Sequence, residues 1–271
     1  MPEFLKALNE QVDATKAIVT FALIMARVMA IVVLVPYLGG KNAPPEVKMG
    51  IGATLTMILW PTVLSNVTGP LPLAPLAFVV MMLKETFIGL AIGFVAAEVF
   101  YVVELSGQLI DMLRGANQIQ TMVPQITERS SAFGNLQYQL LIALFLSLDL
   151  HHVFISALFE SYVAVPINEF PRLGAGFWPF IDLLMRVTAD VLLIGVSLAV
   201  PVGIVCLIVE TAFGLLNRVA PQINAYFMAM PAKVIAGCMV YFLAATMIIE
   251  QMMKHSVVLL ERVNQVIDLL Q

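Results

Sequence analysis

Charge is scarce in this sequence. Only 12% of its 271 residues are Asp, Glu, Lys or Arg, against about 25% in a soluble domain. The 14 basic and 18 acidic residues give a formal net charge of -4 and form no basic stripe. That excludes nucleic acid as a partner, because phosphate binding needs clustered positive charge. Cysteine is nearly absent: Cys206 and Cys238 both lie in apolar runs with no CxxC pair, and read as small buried hydrophobes. No G-x-x-x-x-G-K-[ST], H-E-x-x-H or G-x-S-x-G string occurs, so nucleotide hydrolysis, zinc peptidase and serine hydrolase chemistry lack their motifs. The chain is therefore read as no enzyme, with no cofactor and no metal. Alternating segments of about ten residues are missing too, which argues against a β-barrel.

What remains is apolar. Hydrophobic residues make up 61% of the chain and the mean hydropathy is +0.95, more than a soluble fold of this size can hide from water. About six stretches approach the ~20 residues of a spanning helix: Ala17–Leu38, Met49–Leu64, Leu73–Val103, Leu136–Val165, Val187–Leu216 and Val234–Met253. In lipid every backbone N–H and C=O must be satisfied internally, so each is assigned to helix. The expected fold is all-α and polytopic, with broken helices or hairpins among the spans. Met1–Lys16 is polar and reads as a short amphipathic helix rather than a leader, since Ala17–Leu38 is too long for a signal core and no A-x-A site follows. Lys and Arg are spread too evenly over the helix ends for the positive-inside rule to favour an orientation.

Proline and glycine punctuate the chain. Pro36, Gly39-Gly40 and Pro44-Pro45 mark a first loop, Pro61, Gly69-Pro70, Pro72 and Pro75 a second, and Pro166, Pro171, Gly174, Gly176 and Pro179 a third. Pro201 lies inside an apolar run with Gly195 and Gly203 nearby, so a kink or break is expected there. Glu104–Asn135 is the most polar internal stretch, with apolar residues interleaved. It is read as a long functional loop rather than a disordered one.

Ionisable residues inside apolar runs are expensive in a membrane and deserve a reason. They are Arg27, Lys84, Glu85, Glu98, Asp149, Glu160 and Glu210. Interhelical ion pairs or snorkelling side chains are one reading, and a proton or ion relay the other. Arg27 is a candidate partner for one of the carboxylates. Lys84 and Glu85 are adjacent and are expected to point to different sides of their helix, not to pair. Asp149 with His151-His152 raises a metal site, but adjacent helical histidines diverge by about 100°, and no third His or Cys is nearby. The 16 methionines suit ordinary helix packing or a soft seal around a varying chain.

Leu216-Asn217-Arg218-Val219-Ala220-Pro221-Gln222-Ile223-Asn224, followed by Met228-Ala229-Met230-Pro231-Ala232-Lys233, resembles the APQxN…MPxK signature of the FliR/SctT family, membrane proteins of the flagellar and virulence type III export apparatus. The resemblance continues in Arg27, Pro36 and Pro44–Lys48, in Lys84-Glu85 with Gly89 and Gly93, in Gly107–Asp111 with Arg114-Gly115, and in Glu160-Ser161-Tyr162 before Val165-Pro166. It spans essentially the whole chain.

The resemblance implies one export-gate domain over residues 1–271, with an N-terminal part similar to FliP/SctR and a C-terminal hairpin part similar to FliQ/SctS. It implies a pore-forming subunit in the bacterial inner membrane, within the secretion basal body, through which unfolded flagellar or effector proteins pass. FliP/SctR-like and FliQ/SctS-like subunits, FlhB/SctU-like and FlhA/SctV-like export proteins, secreted substrates and membrane lipid are the implied partners. A plug closing the channel carries over onto Gly107, Met112, Leu113, Arg114, Gly115, Asn117, Ile119, Met122 and Pro124, with Gly107 and Gly115 as hinges. Arg27, Lys84, Glu85, Glu98 and Glu210 are expected to serve assembly. Asn217, Arg218, Pro221, Gln222, Asn224 and Lys233 are expected in a cytoplasmic-side hairpin turn over Arg218–Lys233. Leu150–Ile155 is more similar to flagellar members, while Asp111–Ala116 and Glu128–Gly134 are more similar to injectisome members, which gives a lean to the virulence branch. The competing class is a secondary transporter or ion channel using the intramembrane carboxylates. It should show internal repeats and paired broken helices, and the sequence offers one such candidate, at Pro201.

Overall fold

A computed structural model describes residues 14–39, 43–66, 74–115, 131–172, 176–222 and 224–270. These residues form eight helices and no strand: α1 Ala14–Leu34, α2 Pro45–Asn66, α3 Pro75–Leu113, α4 Ala132–Ser147, α5 Leu150–Ala164, α6 Phe177–Val219, α7 Ala225–Leu243 and α8 Ala245–Leu270. Five of them are long and apolar enough to cross a membrane, or six if the bent pair α4 and α5 counts as one span. The chain is an all-α polytopic membrane protein.

Two compact units divide it. The first comprises Met1–Ala97, Asp149–Met185 and Leu259–Gln271, and the second Glu98–Leu148 and Arg186–Val258. In the first unit, α1 buries Leu23, Ile24, Arg27, Val28, Ile31 and Val32, the three-and-four spacing of one helical face. α2 runs antiparallel to α1: Phe21 meets Trp60 edge-on at 6.4 Å, and Gly52 lies under Met29. The start of α3 lies parallel to α1. Gly89 and Gly93, four residues apart, permit the approach: a Cβ on Gly89 would strike the Arg27 carbonyl, and one on Gly93 would come within 3.2 Å of Ile31 Cα. Small residues at this spacing let membrane helices approach backbone to backbone.

In the second unit, the end of α3 is buttressed from two sides. Phe100 stacks edge-on against Phe145 at 5.6 Å, and Gly107 faces Gly134 so closely that a Cβ would collide with its backbone. Val102 packs with Ile194 and Leu198 of α6. Gly195 admits Leu105, and Gly203 admits Leu113. α8 buries Ile248, Met252 and Ser256 in this unit, and Leu259, Val263 and Val266 in the first.

Several boundaries differ from the sequence expectation. Residues 104–113 continue α3 rather than open a loop. Gln108 Nε2 donates to Glu104 Oε1 and Asp111 pairs with Arg114, and a satisfied polar residue does not end a helix. Leu136–Val165 is two helices, broken at Leu148 and Asp149, where Asp149 takes a left-handed φ of 56°. Val234–Met253 is also interrupted, at Ala244, and α8 runs on to Leu270. Pro201 does not break α6, which is continuous over 43 residues, and Gly195 and Gly203 serve packing against α3. Pro61 lies inside α2. Pro179 is in the first turn of α6, where no intrahelical N–H bond is lost.

Candidate functional site

Among the described residues, each unit carries one buried arginine that ties several backbone segments together. In the first unit, Arg27 is fully buried. Its Nε lies 2.6 Å from Glu85 Oε2. Nη1 donates to the Ser161 carbonyl at 2.7 Å, and Nη2 to the Val165 carbonyl at 2.9 Å. The guanidinium lies 4.2 Å over the Tyr162 ring, whose hydroxyl donates to the Ile24 carbonyl at 3.1 Å. The last carbonyls of a helix lack intrahelical donors and carry partial negative charge, so Arg27 caps α5 while neutralising Glu85.

Lys84 extends the cluster. Its Nζ lies 2.6 Å from Glu85 Oε1 and donates to the carbonyls of Pro166, Ile167 and Glu169 at 3.2, 3.1 and 2.8 Å. Adjacent Lys84 and Glu85 therefore do pair, against expectation. The flexible lysine stem curls toward the carbonyls that follow α5, which lie on the same side as Arg27. Burying charge is tolerable only when it is paired and hydrogen-bonded; here every charge is paired, and Arg27 and Lys84 are hydrogen-bonded to backbone carbonyls.

In the second unit, Arg114 plays the corresponding part. It pairs with Asp111, its Nη1 donates to Cys238 Sγ at 3.0 Å, and its guanidinium lies 4.1 Å over Phe133. Gly237 makes room for it, since a Cβ there would come within 2.7 Å of Arg114 Cδ. Asp111 Oδ2 accepts from Ser131 Oγ at 2.6 Å and from the Phe133 amide at 3.0 Å. Ser131 in turn caps α4, accepting from the Gly134 amide at 2.9 Å. The end of α3, the start of α4 and α7 thus converge on one Asp–Arg pair. Cys206 is buried as expected, but Cys238 is a hydrogen-bond acceptor rather than a bystander.

The sequence candidates for a plug divide here. Gly107 lies within α3, packed against Gly134. Met112 and Leu113 are exposed, whereas Arg114 is buried. Gly115, at a φ of 82°, ends the helix in a conformation that favours glycine. Asn117, Ile119, Met122 and Pro124 lie outside the described residues.

The expected hairpin is shorter than Arg218–Lys233. Asn217 and Arg218 sit in the last turn of α6, Pro221 and Gln222 in the connection, and Asn224 caps α7, accepting from the Phe227 amide at 3.4 Å. All five are exposed. Lys233 is two turns into α7 and buried, 3.6 Å from Glu210 Oε1. Both line a cavity of about 230 Å³ with Asn217, Tyr226 and Met230. Glu98 is buried, whereas Glu160, Asp149 and Glu210 are exposed.

At the α4–α5 break, one donor atom from each of Asp149, His151 and His152 falls within 4.8 Å of the others. The two rings are 4.0 Å apart and only 37° from parallel. The divergence of adjacent helical positions therefore does not keep the two imidazoles apart.

Sequence reading singled out Arg27, Lys84, Glu85, Asp111 and Arg114 but missed Tyr162, Phe133 and Gly237 as their supports. The i,i+3 spacing of Asp111 and Arg114 was the available signal for a helix through that region.

Long apolar helices pinned by buried arginine–carboxylate pairs define an integral membrane protein whose ionic groups act as structural fasteners. The chain belongs to the FliR/SctT family of type III secretion: the model for bacterial export proteins, family 1, matches residues 18–257. It is 30% identical to flagellar biosynthetic protein FliR of Caulobacter vibrioides over 222 residues, covering 80% of this chain and 84% of the relative. It is 32% identical to Yop proteins translocation protein T of Yersinia pestis over 222 residues, covering 80% and 82%. Secretion system apparatus protein SsaT of Salmonella typhimurium is 33% identical over 149 residues, covering 55% and 56%. None of these names describes an enzyme.

Proposed function

We propose that this chain is a pore-forming subunit of a type III protein export gate in the bacterial inner membrane. The reading is carried by its likeness, over 80% of the chain, to relatives named for flagellar biosynthesis and for Yop translocation. Burial supports a multi-subunit setting: 72% of the most apolar stretch of α3 is covered within the chain, but only 28% in α6 and 22% in α2 and α7. Such apolar faces take lipid or other subunits as their surroundings. FliP/SctR-like and FliQ/SctS-like subunits are the proposed neighbours, with FlhB/SctU-like and FlhA/SctV-like proteins beyond them. The chain acts as one gate domain, its N-terminal part resembling the first neighbour and its C-terminal hairpin the second.

The plug role is proposed for the segment that follows Arg114. The Asp111–Arg114–Ser131 cluster suits it, because it fixes the residues on both sides of 116–130. The lean to the virulence branch rests on the Asp111–Ala116 and Glu128–Gly134 strings. A relay through Arg27 and Glu85 is disfavoured, since Arg27 is held by Glu85 and two backbone carbonyls and Lys84 by three further carbonyls. Deleting the gene in its host and following secreted substrate in the medium tests the proposal. Export should stop and return with the gene supplied in trans. Undiminished export from the deletion strain would overturn it.

A further inference from the structure

The α4–α5 break holds a donor set that the export role does not use. Asp149, His151 and His152 bring two imidazoles and a carboxylate within 4.8 Å. Asp149 sits where a helix-capping aspartate would stand, yet its side chain makes no capping hydrogen bond. His152 Nδ1 lies 3.5 Å from Asp149 Oδ1. His151 Nδ1 is buried with no hydrogen-bond partner, and a buried ring nitrogen left unpaired is costly.

We propose that Asp149, His151 and His152 form a binding site for a first-row divalent transition-metal ion. Two imidazoles and one carboxylate suit Zn²⁺, Co²⁺, Ni²⁺ or Cu²⁺ rather than Mg²⁺ or Ca²⁺, which prefer all-oxygen shells. Three protein ligands leave at least one position to water. The positive end of the α5 dipole opposes a cation here, so the Asp149 carboxylate is the ligand the site can least lose. Bound metal would fix the Leu148–Asp149 break, which otherwise rests on one left-handed aspartate. The inference is independent of the export reading, because it needs only these three side chains.

The test is a Co²⁺ titration of the purified chain, in its native complex if it forms one, followed by visible ligand-field absorption and competition with Zn²⁺. About one equivalent should bind per chain. Asp149→Asn and His152→Ala should each weaken it by at least about tenfold. Their side chains are 77% and 69% exposed, so both variants should fold, which native mass spectrometry verifies. His255→Ala, which removes the remaining histidine, should leave the titration unchanged. Absence of a ligand-field band, an unaltered titration in Asp149→Asn and His152→Ala, or a loss that follows His255→Ala would overturn the site.

Discussion

Arg27 Nε and Glu85 Oε2 lie 2.6 Å apart with neither side chain exposed, and the same guanidinium closes the carbonyl end of α5. One residue of α1 thereby fixes both α3 and α5 within the first unit. Arg27→Leu leaves Glu85 with Lys84 alone and strands the Val165 carbonyl, while the Ser161 carbonyl keeps only the Val165 amide. The expected loss is about 3–5 kcal/mol, measured by thermal or denaturant unfolding in detergent. Arg27→Lys should recover little, because an ammonium cannot span the same acceptors. Arg27→Leu combined with Glu85→Leu should lose less than the sum of the singles. Full stability of Arg27→Leu would remove the pair from this role.

Gly89 and Gly50 offer a matched comparison within the first unit. A Cβ on Gly89 meets the Arg27 carbonyl and Ala30 Cβ, whereas nothing lies within 4 Å of one on Gly50. Gly89→Leu should destabilise by about 1–3 kcal/mol or more through overpacking. Gly50→Ala should be neutral or stabilising by up to about 1 kcal/mol, since alanine is the better helix former. Heating the detergent-solubilised protein and following the monodisperse fraction separates the two.

Asp111 accepts from Arg114, Ser131 and the Phe133 amide. Asp111→Ala should release the start of α4 from α3 and raise ion conductance of the assembled complex in planar bilayers. Replacing 114–122 by a Gly/Ser linker should raise it further. Conductance at the wild-type level in both would remove the plug assignment.

Glu210 is the weaker partner of its pair, exposed and 3.6 Å from Lys233. Glu210→Ala should cost under about 1 kcal/mol in the isolated chain, as exposed ion pairs do. Its effect should appear instead as reduced yield of the complex; Glu98→Ala, at a buried position, should also reduce that yield. Normal complex yield with abolished secretion would favour the relay reading.

Much of the fold was legible because apolar runs of spanning length leave helix as the only backbone solution. Several differences share one cause, which is that polar and proline residues need not break a membrane helix. Asp111 and Arg114 satisfy each other one turn apart, so α3 continues through them to Leu113. Pro61, Pro201 and Pro231 sit inside helices, as prolines of membrane helices can when neighbours re-satisfy the backbone. The break at Asp149 was invisible, because nothing in Leu148-Asp149-Leu150 demands a left-handed residue. Arg27 and Glu85 were legible as costly charges. Their geometry was not, because it depends on where the end of α5 falls, 134 residues along the chain from Arg27 to Ser161.

The central claim is tested most directly by native mass spectrometry of the tagged chain, expressed with and without its neighbouring membrane genes and extracted in mild detergent. The export-gate account predicts a discrete hetero-oligomer containing two further small hydrophobic proteins, and poor recovery of the chain alone. A stable monomer or homo-oligomer under both conditions would contradict it.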